Sequence, residues 1–353
     1  MNEHRLREVL NEFPRLRIAV IGDFFLDKYL LIDPELDEPS VETGLTAYQI
    51  VGKRRSPGAA GTVVNNLKAL GVGAIDAVGM SGVDGEGLEL RTELTKLGVN
   101  QEYFYAVEER FTPTYTKPLV LSKSNQVPER ELNRLDIKNR NPLPSWVEYQ
   151  IEKALDSLIE WVDAIMIMDQ VSQKNCGVIT DHVRERIALL GKDHPTKILY
   201  ADSRERIGLF ENVLIKCNHY EVAGSFHPDY DLSAISKQRQ PPDDLIEECG
   251  WKMVDRTKRS VFVTLGSRGQ WVFDVNSPDR CVAKVPAIAV EGPIDICGAG
   301  DAASSGLVAA LCCGASLTEA AEIGNLVASI TIKQLGNTGT ASPAQLLAAV
   351  KRL

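Results

Sequence analysis

Short runs of consecutive apolar residues recur along this chain, separated by longer stretches with helical spacing. Six runs stand out: Arg17 to Ile21, Ile75 to Met80, Ala164 to Met168, Lys197 to Ala201, Val213 to Lys216 and Val261 to Leu265. A strand that is apolar on successive residues, not on alternate ones, is buried on both faces. Helical spacing appears between them, as in Asn65 to Leu70, Val147 to Trp161 and Ile179 to Leu190. The last third reads as helices over Gly300 to Cys313 and Leu317 to Leu335, with a short tail helix from Ser342. Strand–helix alternation of this kind predicts an α/β fold of three layers, α/β/α, around a mostly parallel sheet.

Two stretches break the rhythm. Residues 29–56 hold short β-rich pieces interrupted by Pro34, Pro39 and Gly44, and residues 102–137 hold Tyr103 to Val107 and Thr114 to Leu121. Together they predict a small β lid over the main body, of the kind that excludes water from a reacting site. Two ordinary surface hairpins are the other arrangement compatible with the pattern. The expectation is one domain over residues 1–353, with the lid assembled from discontinuous segments.

Composition narrows the class. No apolar run reaches 18 residues, and the first residues mix acids and bases without an apolar signal core. Neither a membrane span nor a secretory peptide is expected, so the chain reads as cytoplasmic. The net charge of −9 argues against nucleic acid or anionic lipid as a partner, while leaving room for a local cationic pocket. The seven cysteines form no paired motif and read as thiols in a reducing compartment. Five histidines without metal-binding spacing leave a zinc hydrolase unsupported.

The richest chemistry lies in Val290 to Gly306, VEGPIDICGAGDAASSG. Small residues at Gly298, Ala299 and Gly300 permit a tight turn, and a helix follows at once. Free N–H groups and the positive dipole end at such a start favour an anion, including a phosphoryl group in transfer. Asp301 sits at the entry to the helix, placed either to cap it or to take a proton from an attacking hydroxyl.

The string Asp295-Ile296-Cys297-Gly298-Ala299-Gly300-Asp301 resembles the C-terminal signature of the PfkB, or ribokinase-like, carbohydrate kinases. Further likeness follows in order: Asn218 with Glu221, then Thr264, Gly266 and Gly269, then Asn325 and the stretch Gly336 to Thr340. Gly22 to Tyr29, Arg134 to Asp136 and Asp202 to Arg204 resemble the heptose-7-phosphate kinase branch of that family. The resemblance implies a ribokinase-like fold and transfer of the γ-phosphate of ATP, with Mg²⁺, to a hydroxyl of a sugar or sugar phosphate. It implies Asp301 as base and Gly298, Ala299 and Gly300 as the anion hole. Asn218 and Glu221 would place Mg²⁺ through water, and Thr264, Gly266, Gly269 and Asn325 would line the nucleotide site. Asp27, Gly58, Arg134 and Asp169 would face the acceptor, and Asp295 with the carbonyl of Cys297 would hold K⁺. A homodimer through the lid is expected from its exposed edges.

Three departures from the family pattern bear on the substrate. Cys297 stands where Thr is usual, Ala59 and Thr62 replace a Gly and an Asn of the sugar signature, and Asp169 lacks its usual Ser and Tyr neighbours. A threonine offers one donor where an amide offers two. The altered signature motivates a second class of function, a sugar or nucleotide sensor that keeps the fold without turnover.

Overall fold

The computed structural model describes residues 1–122, 127–230, 240–336 and 338–351. The strands are β1 (Arg17–Gly22), β2 (Phe24–Ile32), β3 (Glu38–Pro39), β4 (Thr46–Ala47), β5 (Ile50–Ala59), β6 (Ala74–Gly82), β7 (Phe104–Val107) and β8 (Thr114–Leu121). They continue as β9 (Pro128–Glu131), β10 (Leu135–Ile137), β11 (Ala164–Asp169), β12 (Ile198–Ser203), β13 (Leu214–Asn218), β14 (Val261–Thr264), β15 (Gln270–Phe273) and β16 (Ala283–Val285). The helices are α1 (Glu3–Glu12), α2 (Ala60–Ala69), α3 (Gly85–Lys96), α4 (Ser145–Leu158), α5 (Asp181–Asp193) and α6 (His219–Gly224). They end with α7 (Asp243–Thr257), α8 (Ala299–Cys312), α9 (Leu317–Thr331) and α10 (Pro343–Val350).

Among the described residues the main sheet runs β16-β15-β14-β13-β12-β11-β1-β6-β7. It is parallel from β14 to β7, and the β14–β15 and β15–β16 pairs are antiparallel. Each central strand feeds two cores. Ile18 and Val20 of β1 pack with α1, α2, α8 and α9, while Ala19 and Ile21 pack with α4 and α5 on the other side. The fold is thus the three-layer α/β/α arrangement expected from the apolar runs.

A second sheet, β10-β8-β2-β5 with β9 beside β8, forms the lid. The chain leaves the main sheet for the lid at one point. Gly22 ends β1 at φ +145°, and an added Cβ there would meet the Met168 carbonyl oxygen at 2.1 Å. Only glycine allows β1 and β11 to stay paired while the chain turns into β2.

Three expectations are corrected. Residues Tyr103 to Val107 do not join the lid: β7 pairs in parallel with β6 at the edge of the main sheet, where Phe104 is buried in the same core as Ile75 and Ala77 of β6 and Leu90 and Leu94 of α3. The helix read as starting at Asn65 starts at Ala60, so Gly61 and Thr62 of the altered signature are helical. The helix read to Leu335 stops at Thr331. Residues 123–126 of the second lid segment, and Asn337, lie outside the described residues. All seven cysteines are free. Among the described residues no helix is long and apolar enough to cross a membrane.

Candidate active site

Helix α8 begins without a side-chain cap. Gly298 occupies the N-cap position at φ +76°, a left-handed conformation that suits glycine. An added Cβ there would lie 3.2 Å from Thr338 Cγ2 and 3.4 Å from Thr62 Cγ2. Thr62, the residue standing for the family's Asn, therefore abuts this turn. The Ala299 N–H does not remain free for an anion, since it donates to the Ile296 carbonyl at 3.1 Å. No acceptor among the described residues meets the N–H groups of Gly298, Gly300 and Asp301. Unmet donors at a helix start form a ready anion site.

Asp301 stands in the first turn, half-buried. Its carboxylate has no hydrogen-bond partner among the described residues, and only its backbone carbonyl is engaged, by Ser305 Oγ at 2.8 Å. Loss of water pushes its carboxyl up to about 7, with the charge of Asp202 adding to the rise and Lys216 opposing it. The charge of Asp27 on the lid adds a smaller rise. A pKa near neutrality suits a general base.

Beneath this turn, adjacent strands of the sheet carry a polar ladder. Tyr200 and Asp202 of β12 point toward α8, and Lys216 of β13 lies beside them. The Tyr200 hydroxyl donates to Ser304 Oγ at 2.6 Å, and Lys216 Nζ donates to Asp202 Oδ2 at 2.5 Å. An added Cβ on Gly300 would sit 3.1 Å from Lys216 Nζ, so the ammonium lies directly under the helix's first turn. The sequence reading gave Lys216 no role and Asp202 none beyond its likeness to the family. The signal was a lone charge inside the apolar run Leu214-Ile215-Lys216-Cys217, a position that is expensive unless paired.

Strand β13 ends in a capping box. Asn218 Oδ1 accepts from the N–H groups of Tyr220 and Glu221, both at 2.9 Å, and Glu221 Oε2 accepts from the Asn218 N–H at 2.6 Å. Glu221 Oε1 has no partner among the described residues. Its carboxyl is pushed up to about 7, by loss of water first and then by the charge of Asp202.

The nest opens into a cavity of about 520 Å³. Thr264, Gly266 and Gly269 line it together with Ala299 and Gly300. Gly269 adopts φ +90°, and an added Cβ would meet the Val285 carbonyl oxygen at 2.1 Å. Ile288, Val290, Ile294 and Ile332 give the cavity apolar walls. Asn325 lines it too, but its amide is occupied: Oδ1 accepts from Gln270 at 2.8 Å and Nδ2 donates to the Pro286 carbonyl at 2.9 Å. An apolar slot ending in unpaired amides fits a flat base with a polyphosphate tail.

On the lid side Asp27 is 8% exposed and lies 3.7 Å from Lys117 Nζ. Gly58 on the paired strand leaves it room, since an added Cβ would stand 2.5 Å from Asp27 Oδ2. Arg134 pairs with Asp136 at 2.6 Å and stacks 4.1 Å from the centre of the Tyr115 ring. Asp169 was expected toward the acceptor. It is instead 1% exposed, with its oxygens taken by Ser203 at 2.7 Å and Arg206 at 2.8 Å. Asp295 likewise accepts two backbone bonds, from Cys297 and Gly336, and so shapes the loop. Among the described residues no group of three or more His, Cys, Asp or Glu side chains could hold a metal ion by itself.

A proton-accepting carboxylate without a partner, beside an anion nest that closes an apolar slot, is what a phosphotransferase acting on alcohols requires. A model of the pfkB family carbohydrate kinases matches residues 18–345, and the chain belongs to that family. It is a sugar kinase, and ATP is its implied donor. The Bifunctional protein HldE of Shewanella sp. (strain W3-18-1) is 27% identical over 347 residues. That match takes in 97% of this chain but 65% of the Shewanella protein, so the chain spans under two thirds of that relative's length. HldE of Trichlorobacter lovleyi is 25% identical over 99% of this chain and 66% of its own. Among solved structures, Arabidopsis thaliana ribokinase complexed with ribose and ATP aligns at a TM-score of 0.69 and 17% identity, covering 95% of this chain and 99% of that one. Escherichia coli phosphofructokinase-2 in complex with substrates and products aligns at 0.65 and 18% identity, covering 96% and 99%. These likenesses show the ribokinase-like fold.

Proposed function

We propose that the protein transfers the γ-phosphate of ATP to a hydroxyl of a small sugar or sugar phosphate, with a heptose 7-phosphate-like acceptor as the first candidate. The observation that supports this reading is the Asp301 carboxylate in the first turn of α8, without a hydrogen-bond partner among the described residues, next to Ala299 and Gly300, which line the 520 Å³ cavity. The base of ATP lies between the apolar walls, with Thr264, Gly266, Gly269 and Asn325 around it. Its terminal phosphate rests against the N–H groups of Gly298, Gly300 and Asp301. Asp27 accepts a hydrogen bond from an acceptor hydroxyl, Gly58 leaves space for it, and Arg134 offers a cation at the lid. Asp301 takes the proton of the attacking hydroxyl as the new P–O bond forms and the bond to the leaving ADP oxygen breaks.

Glu221, with one oxygen that meets no partner among the described residues, fits a hydrated magnesium ion whose remaining ligands are water and phosphate oxygens. A bound Mg²⁺ would offset charge on the phosphates during transfer. The carbonyl of Cys297, with Asp295 ordering the loop, is the candidate K⁺ contact. The lid carries exposed Leu36, Val41, Leu45, Tyr48, Ile50 and Val51, which favours pairing with a second copy, and the site of action is taken to be cytoplasmic.

The test is ADP formation from ATP and Mg²⁺ across a panel of sugars that includes heptose 7-phosphate, with and without K⁺. Turnover with at least one acceptor, lost in Asp301→Asn, is the expected result. Nucleotide binding without turnover on any acceptor would favour a sensor.

A further inference from the structure

Lys216 is a feature of this site that the family resemblance did not call for. It is a lysine in the middle of a buried strand, 6% exposed. A lysine in that position normally needs an anion, and Asp202 Oδ2 supplies one at 2.5 Å. Yet the placement under α8 is costly in a second way. The first turn of a helix is its positive end, and its N–H groups here lack acceptors. An ammonium against that end is repelled by the helix start, and the carboxyls of Asp301 and Glu221 offset part of that repulsion. The absence of a side chain at Gly300 is what lets the ammonium reach the turn, since a Cβ would come within 3.1 Å of it. Lysine, glycine and unmet amides therefore converge on one spot, with the ammonium held by Asp202 beneath the amides and the charges of Asp301 and Glu221 within reach of it. Burial alone does not explain this, because Asp202 and Lys216 replaced by an apolar pair would pack the same layer without charge.

Resting on the kinase reading above, we propose that Lys216 is a catalytic residue of the phosphoryl transfer. Its ammonium, held ready by Asp202, donates to an oxygen of the transferring phosphoryl group seated on the Gly298 and Gly300 amides. The contact supplies a point charge from the sheet side, opposite the acceptor. Asp202 is then a positioning residue that keeps the ammonium charged and oriented in the absence of nucleotide.

The test compares the affinities of AMP-PNP and ADP, measured by calorimetry with Mg²⁺, in the wild type and in two variants. Lys216→Gln can still hydrogen-bond Asp202. The pair Lys216→Met with Asp202→Asn removes both charges together. Thermal unfolding confirms that each is folded. In both variants AMP-PNP binding should weaken by about tenfold or more, the scale of one lost charge-assisted hydrogen bond, while ADP binding moves by about twofold at most. Turnover should fall with the loss of AMP-PNP affinity. Wild-type AMP-PNP affinity and turnover in the double variant would overturn the proposal, because Lys216 would then only neutralise Asp202. Equal weakening of ADP and AMP-PNP would also overturn it. Failure of the kinase reading looks different: the wild type would form no ADP with any acceptor, whatever the nucleotide affinities of the variants.

Discussion

Two carboxylate clusters sit in this molecule, one knotted where β1 and β11 end and one at the start of α8, and they solve the same problem differently. In the first, Asp23 accepts backbone N–H groups from Gln170, Val171 and Val178 at 2.8, 2.9 and 2.7 Å. Asp169 beside it is closed off by Ser203 and Arg206. Burial still pushes Asp23 up to about 6, but each oxygen is met. In the second, Asp301 rises further, to about 7, and its oxygens meet nothing among the described residues. Burial alone therefore does not mark a working group. What distinguishes Asp301, the proposed base, is a withdrawn carboxylate left without partners among the described residues, next to residues that line a cavity.

The largest break in that comparison comes from Asp301→Asn. ADP formation should fall by roughly 10²–10⁴-fold, the usual worth of a positioned base. The same variant should melt higher than wild type at pH 8. The folded pKa of Asp301 is raised from 3.8 to about 7, so above 7 the wild type carries a charged form that folding disfavours. That gain should shrink as pH falls from 7 toward 4, where the wild type becomes neutral in the fold as well. A variant that melts lower at pH 8 would mean the carboxylate is a structural cap.

Arg206→Met tests the knot. Stripping the cation from buried Asp169 should cost about 3–5 kcal/mol in urea unfolding, while turnover per folded molecule stays near that of wild type. A loss confined to turnover would make Asp169 part of the acceptor site after all. The pH profile of kcat/KM comes next. It should drop about tenfold per unit on the acid side of pH 7, as Asp301 binds its proton. On the lid, Asp27→Asn should raise the sugar KM by about tenfold and leave the ATP KM in place. Gly58→Ala should raise it less, by crowding Asp27 Oδ2, whose closest approach would be 2.5 Å. Equal effects on both substrates would place Asp27 outside the acceptor pocket.

Asp169 and Lys216 show where reading from the chain stops. Asp169 follows a buried strand in the position where the family has an acceptor residue, yet its partner Arg206 comes from the loop after β12, 37 residues on. Lys216 was visible as a charge in an apolar run, but only its register beside Asp202 and its approach to Gly300 give it a task. Tyr103 to Val107 carries a β pattern that is equally good for either sheet, and the burial of Phe104 in the core with Ile75, Ala77, Leu90 and Leu94 goes with its pairing in the main one.

Local pattern was enough for the parallel core, for the turn that starts α8, and for the family to which the chain belongs. Those depend on the spacing of apolar and small residues along a few turns or strands, which the chain carries in itself. Which carboxylate is satisfied and which is left bare depended on side chains brought together from distant strands. Pairing energy is set by distances across the fold, and no local sequence window contains them.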